Sequence, residues 1–178
     1  MKQIIEFKSD FQDGKSEMPT RYPALAFRLV RFGFQTLGRL FPQKAAEIAY
    51  KLFSTPRSRA KHRASDPILE QAHLFEVLYG KYILKGYEWG SGEKTILLVH
   101  GWESRGTALR TFVPALLKKG YKVVAMDGPA HGNSSGKSTN LPIFAGAVLA
   151  FIQQLGGVHG IITHSFCLLY TSPSPRDS

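Results

Sequence analysis

Two short apolar runs of the sequence each end in a turn that contains histidine and a group suited to acyl-transfer chemistry. Residues 96–102 read ILLVHGW, and residues 161–166 read IITHSF. The hydroxyl of Ser165 is a candidate nucleophile at the end of the second run. The backbone N–H of Trp102, at the end of the first, is placed to stabilise negative charge that develops on a carbonyl oxygen. Parallel strands that end side by side would bring these two groups together.

The segments that must position these groups alternate between strand and helix patterns. Strand patterns cover 73–79, 82–89, 95–100, 121–126 and 158–163, and helix patterns cover 105–119 and 141–154, the latter capped by Asn140. The first two strands flank Gly80-Lys81, a plausible hairpin turn. The last three strands are continuously apolar, which indicates burial on both faces. We therefore predict an α/β fold with about five strands in a mostly parallel sheet, covered by helices on both faces.

A basic helical leader precedes this domain. Residues 21–41 place Arg28, Arg31 and Arg39 on one narrow helix face, with apolar residues over much of the remainder. A second helix pattern follows Pro42. Between Arg21 and Arg63 the chain has ten Lys or Arg residues against one acid, Glu47, whereas charges nearly balance from residue 65 onward. Domain boundaries are therefore expected near 1–65 and 66–166, with a separate tail at 167–178.

Three interpretations of the leader remain open on the sequence alone. Residues 21–63 could lie on an anionic membrane surface, with arginines at the level of the lipid head groups. The first helix could instead cover an apolar patch of the following domain. Nucleic-acid binding is the least favoured, because no groove-reading motif accompanies the charge. We expect a cytoplasmic protein, either free or peripheral to the membrane.

Composition and spacing argue against several other classes of site. Cys167 is the only cysteine, which excludes an internal disulfide and a cysteine-based zinc cluster. The segment Gly136-Lys137-Ser138 lacks the glycine spacing of a phosphate-binding loop. The histidines show no metal-ligand spacing. No cofactor and no metal are therefore predicted, and from this sequence we expect neither a signal peptide nor a membrane-spanning run.

Four features in order resemble the α/β-hydrolase family. They are HGW after a buried strand, Asp127-Gly-Pro-Ala-His131-Gly after the next strand, a helix, and a strand that enters His-Ser-Phe. The resemblance covers about residues 74–166. It implies that Ser165 is the nucleophile of an acyl-enzyme mechanism and that the backbone N–H groups of Trp102 and Phe166 receive the oxyanion. The implied substrate is a small ester or thioester.

The sequence departs from the family pattern around and after this serine. Thr163 and Cys167 stand where the family has small residues, and the run CLLYTSPSPRDS at 167–178 has no hydrophobic period. This run resembles translated read-through of a sequencing adapter, so we expect a non-native or disordered tail.

The acid and the histidine of a catalytic triad would follow Ser165 in this family. We therefore expect this chain to be a fragment of a serine hydrolase, inactive and prone to aggregation as it stands. The alternative is a non-catalytic binding or membrane-associated protein with the same fold.

Overall fold

The structure is a computed structural model, and it describes residues 24–60 and 67–165. Contacts divide the chain into two units, Met1–Ala46 and Glu47–Ser178. Phe166 and the predicted tail at 167–178 lie outside the described residues, as do 1–23 and 61–66.

Both helices predicted in the leader are present. Helix α1 spans Ala24–Leu40 and helix α2 spans Pro42–Ser54. Proline suits the first position of α2, because the backbone N–H that it lacks would have no partner inside the helix. The apolar side chains of Leu29, Phe32 and Leu40 are 62%, 65% and 73% exposed. In the part of the chain that the structure describes, no helix is long and apolar enough to cross a membrane.

Five strands form one sheet in the order β1-β2-β4-β3-β5. Their bounds are β1 His73–Tyr79, β2 Tyr82–Trp89, β3 Thr95–Val99, β4 Lys122–Met126 and β5 Gly160–Thr163. Strand β3 lies between β4 and β5 and runs parallel to both. The β1–β2 hairpin is antiparallel, and β2 joins β4 antiparallel. The sheet is therefore mixed, with the three strands that lead to the predicted site parallel.

Helices cover both faces of this sheet, as the sequence predicts. Helix α5 (Leu141–Gln154) packs on the face that carries Leu97 and Val99. The other face carries Ile96 and Leu98, and it is covered by the segment between β3 and β4. The alternation along β3 buries every side chain of this strand, which explains its continuously apolar sequence.

The helix predicted at 105–119 consists of two parts. A 3₁₀ helix spans Gly106–Phe112, and helix α4 spans Val113–Lys118. Pro114 lies in the first turn of α4, so it begins this helix rather than kinking a longer one. A single helical turn at Pro67–Glu70, α3, has no counterpart in the sequence prediction.

Helix α5 begins where the sequence predicts. The side-chain oxygen of Asn140 accepts a hydrogen bond of 2.9 Å from the backbone N–H of Ile143. This bond satisfies one of the N–H groups that a helix start leaves without a partner.

Candidate active site

Ser165 follows β5 and has a backbone conformation that is unusual for a residue with a side chain. Its φ angle is 72°, in the left-handed region that favours glycine. Such a conformation costs about 1–3 kcal/mol and persists only where the surroundings impose it. Here the N–H of the preceding His164 donates to the carbonyl oxygen of Val99, at 3.3 Å, which ties the turn to the end of β3.

Gly101 provides the space for this serine. A Cβ atom at position 101 would lie 2.5 Å from the Cβ atom of Ser165 and 3.1 Å from its Oγ atom. A methyl group therefore does not fit between the two turns without a shift of the backbone. The turns after β3 and β5 are in contact, as the sequence predicts from the parallel order of the strands.

The two described residues of the predicted site line the same cavity. Ser165 and Trp102 both border a cavity of about 750 Å³, so the structure brings them together. The third predicted residue, Phe166, is outside the described residues. Thr163, two residues before the serine, has a buried Oγ1 atom with no hydrogen-bond partner in the described part of the chain.

The side chain of His100 holds the turn of Trp102 and is not free to act as a base. His100 is fully buried, and its Nδ1 lies 2.6 Å from the carbonyl oxygen of Gly101. Its Nε2 accepts a hydrogen bond of 2.9 Å from the N–H of Gly128, so Nδ1 carries the proton and donates. Burial, followed by the proximity of His131, lowers the pKa of His100 to about 4. The ring is therefore neutral at pH 7.

His131 supports the other side of the same turn. Its Nε2 accepts a hydrogen bond of 3.1 Å from the N–H of Glu103, and its Nδ1 lies 2.9 Å from the carbonyl oxygen of Pro129. Burial lowers the pKa of His131 as well. The Trp102 ring meets this imidazole edge-on, with the ring centroids 5.1 Å apart. Two neutral imidazoles thus fix the backbone on either side of Trp102.

Asp127, which the sequence analysis placed in a family motif without predicting its contacts, is a buried centre of hydrogen bonding. Its carboxylate accepts from the N–H of Gly106 at 2.6 Å, from the N–H of Asn133 at 2.8 Å and from the hydroxyl of Tyr87 at 2.8 Å. Burial and the charge of Asp127 raise the pKa of Tyr87 above its usual value. Gly132 is needed beside it, because a Cβ atom there would lie 2.3 Å from the carboxylate. The carboxylate ties β2, β4 and the 3₁₀ helix to one loop.

The last turn of α2 belongs to this site, which the sequence patterns did not predict. The carbonyl oxygen of Ser54 accepts from the N–H of Thr139 at 2.8 Å, and the hydroxyl of Tyr50 accepts from the side-chain amide of Asn140 at 2.8 Å. The Phe53 ring is nearly parallel to the Trp102 ring, with centroids 6.3 Å apart. The leader therefore contributes side chains to the cavity.

The described residues around the cavity supply hydroxyl groups and aromatic surface, but no imidazole or carboxylate that could accept a proton. None of the described residues that line it is a histidine, aspartate or glutamate. Within the same described ranges, no cluster of three or more His, Cys, Asp or Glu residues could hold a metal ion. Ser165 and the turn of Trp102 border this cavity together with apolar side chains of α2 and α5.

Comparison with known proteins agrees with this architecture. Residues 96–166 match the family described as the Alpha/beta hydrolase family. A solved structure of an esterase from Pyrococcus furiosus is 24% identical, with a TM-score of 0.58 over 66% of this chain and 49% of that one. A second crystal form of this esterase is 25% identical, with a TM-score of 0.52 over 59% of this chain and 46% of that one. An epoxide hydrolase from Vigna radiata is 23% identical, with a TM-score of 0.52 over 57% and 34%.

Comparison with curated proteins returned no match. The chain spans about half the length of the esterase, or less, and about a third of the epoxide hydrolase. The matched residues begin in β3 and extend through Ser165 to Phe166. The resemblance to the α/β-hydrolase family is thereby confirmed for this part of the chain, and so is the α/β-hydrolase type of fold.

Proposed function

We propose that the chain carries the nucleophile and part of the oxyanion site of a serine hydrolase that acts on ester or thioester bonds. The observation that supports this most directly is the positive φ of Ser165 in contact with Gly101. An α/β-hydrolase nucleophile occupies such a strained turn between a strand and a helix, which exposes its hydroxyl. The Pyrococcus furiosus structures of similar fold are those of an esterase, which supports the choice of bond.

In the proposed mechanism, the Oγ atom of Ser165 attacks the carbonyl carbon of the substrate. The carbonyl oxygen becomes negatively charged and accepts hydrogen bonds from the backbone N–H groups of Trp102 and Phe166. Loss of one such donor commonly costs about 3 kcal/mol of transition-state stabilisation. The alcohol or thiol leaves, Ser165 is acylated, and water then releases the acid.

A serine hydroxyl needs a general base, because the neutral alcohol is a weak nucleophile. His100 and His131 use both ring nitrogens in backbone hydrogen bonds, and the described lining of the cavity offers no other base. We therefore propose that the 178-residue chain alone turns over no ester. In the whole protein, the acid and the histidine would come from outside the described residues.

Acylation of the serine tests this proposal without requiring turnover. Purified chain is treated with p-nitrophenyl butyrate in the presence of imidazole, which supplies a general base, and the acylated site is located by tandem mass spectrometry. The expected adduct is on Ser165, and Ser165→Ala removes it. Butyrylation spread evenly over Ser165, Ser172 and Ser174 would favour the alternative, a non-catalytic binding protein with this fold.

The exposed apolar side of α1 supports a second, separate function at a membrane surface. We propose that the protein is cytoplasmic and that α1 lies on anionic lipid, with Leu29, Phe32 and Leu40 directed to the bilayer. These side chains are more than half exposed, and the arginines of the adjoining helix face suit anionic head groups. If α1 served only to cover an apolar patch of the second unit, its arginines would have no part in that role.

Sedimentation with liposomes tests this second proposal. The chain should sediment with vesicles that contain phosphatidylglycerol and less with vesicles of phosphatidylcholine alone. Changing Arg28, Arg31 and Arg39 to Gln should reduce the sedimented fraction. A control variant with Lys94, Lys118 and Lys119 changed to Gln loses the same charge elsewhere and should still sediment. Equal behaviour of the two variants would reject a membrane role for α1.

A further inference from the structure

The cavity beside Ser165 has walls that suit one chemical class of ligand. Its volume of about 750 Å³ lies within the range of small-molecule sites. Phe53, Trp102, Leu141 and Pro142 contribute apolar surface to it, and no described lining residue is charged at neutral pH. A carboxylate or an ammonium group would lose its hydration here without gaining an ionic partner from these residues. An uncharged hydrocarbon group has no such hydration to lose, so the cavity favours it.

One wall of this cavity comes from the last turn of α2. The Phe53 side chain is 85% exposed, although its ring lies beside that of Trp102. A large apolar ring that faces an open cavity gains from any apolar group that covers it. Because the cavity also reaches Ser165, the hydrocarbon part of a bound ester is the group that would lie between this wall and the serine.

This wall is held to the core by hydrogen bonds and is not a loose flap. Ser54 is bonded to Thr139 at 2.8 Å, and Tyr50 is bonded to the side chain of Asn140 at 2.8 Å. The same Asn140 caps α5. The position of the α2 turn is thus set by the loop that starts α5.

We propose that this cavity is the acyl pocket of the enzyme, that it selects uncharged aliphatic or aromatic acyl groups, and that Phe53 of the leader is a specificity-determining residue. The proposal rests on the proposed role of Ser165. Affinity should rise about fourfold for each methylene added to the acyl chain until the cavity is filled. Acyl groups that end in a carboxylate should bind far more weakly.

Tryptophan fluorescence tests the pocket in the full chain without requiring catalysis. Trp89 and Trp102 are the only tryptophans, so Trp89→Phe leaves Trp102 as the single reporter at the cavity. Methyl 4-bromobutyrate and methyl 8-bromooctanoate, whose bromine quenches indole fluorescence on contact, are titrated against this protein. The octanoate should bind at least tenfold more tightly than the butyrate. Monomethyl suberate, which is similar in length but ends in a carboxylate, should not displace it.

Two variants show whether α2 forms the wall. Phe53→Ala should weaken octanoate binding about tenfold, since it removes one aromatic side of the cavity. Leu149→Ala is the matched control, because this leucine is 59% exposed on α5 and does not line the cavity. A Phe53→Ala variant with octanoate affinity within twofold of the parent, or equal affinity for both esters, would overturn the proposal.

Failure of the acyl-pocket proposal and failure of the proposed role of Ser165 give different results. Quenching is repeated with Ser165→Ala, which should bind the octanoate as well as the parent, since the hydroxyl does not hold the hydrocarbon chain. Chain-length-dependent binding without acylation of Ser165 would leave an apolar pocket and reject the nucleophile. Acylation of Ser165 at the same rate by butyryl and octanoyl esters would retain the nucleophile and reject the acyl pocket.

Discussion

Replacement of Asp127 by alanine should strongly lower the free energy of unfolding of the second unit. The substitution leaves three donors without their acceptor: the N–H of Gly106, the N–H of Asn133 and the hydroxyl of Tyr87. A buried donor without a partner costs about 1–3 kcal/mol, so the three together cost roughly 3–6 kcal/mol even with partial rehydration. This is a large share of the 5–15 kcal/mol by which domains are typically stable.

Guanidinium unfolding followed by tryptophan fluorescence measures this loss. Asp127→Asn keeps one carbonyl oxygen as an acceptor and should lie between the parent and Asp127→Ala in its free energy of unfolding. Tyr87→Phe removes one donor to Asp127 and the acceptor of the Asn133 side-chain amide, and should cost about 1–2 kcal/mol, less than Asp127→Ala. The reasoning would be refuted by an Asp127→Ala variant that unfolds within 1 kcal/mol of the parent, or by a larger effect of Tyr87→Phe than of Asp127→Ala.

Three further predictions concern the turns around the serine. Stability should fall as the pH drops from about 6.5 to about 4, because the folded state lowers the pKa of His100 and the unfolded chain binds the extra proton. The loss attributable to His100 is about 3 kcal/mol, read from urea midpoints across this range, and the lowered pKa of His131 adds to it. Gly101→Ala should reduce acylation of Ser165 at least tenfold in the imidazole assay, because its Cβ atom would meet the serine. Asn140→Ala should lower the free energy of unfolding by about 1–2 kcal/mol, mainly through loss of the cap of α5 and in part through loss of the hydrogen bond to Tyr50.

Each of these three has a matched control. His100→Gln should reduce the pH dependence to the part that the lowered pKa of His131 contributes. Gly33 has open space around it in α1, so Gly33→Ala should leave acylation unchanged. Asn140→Ser can still cap α5 and should restore most of the stability. A flat pH profile in the parent, normal acylation of Gly101→Ala, or equal stability of the two Asn140 variants would contradict the respective prediction.

The strands and most helix boundaries could be predicted because their signals are local. The hairpin of β1 and β2 matches its predicted bounds, since Gly80-Lys81 marks a turn between two strand patterns. Contact between the turns of Trp102 and Ser165 followed from the rule that strands joined by helical crossovers run parallel. The chemical roles assigned to those residues and to Phe166 stay predictions.

The contacts that hold the site depend on residues far apart in the chain, which no local pattern reveals. Asp127 receives its hydrogen bonds from three separate segments, so the family motif around it could not indicate which groups it holds. Tyr50 and Asn140 are 90 positions apart, and the periodicity of α2 predicts a helix without saying what its last turn contacts. The 3₁₀ geometry before α4 was missed because its residues also fit an α-helical pattern.

A crystal structure of the chain with a phosphonate bonded to Ser165 tests the central claim most directly, because the phosphonyl oxygen takes the position of the oxyanion. The fluorophosphonate reagent would be added with imidazole, and the adduct on Ser165 confirmed by mass spectrometry before crystallisation. We predict that the phosphonyl oxygen accepts a hydrogen bond from the backbone N–H of Trp102, at about 2.7–3.1 Å. An oxygen directed to solvent, with the Trp102 N–H bonded elsewhere, would contradict the claim that these two turns form an acyl-transfer site.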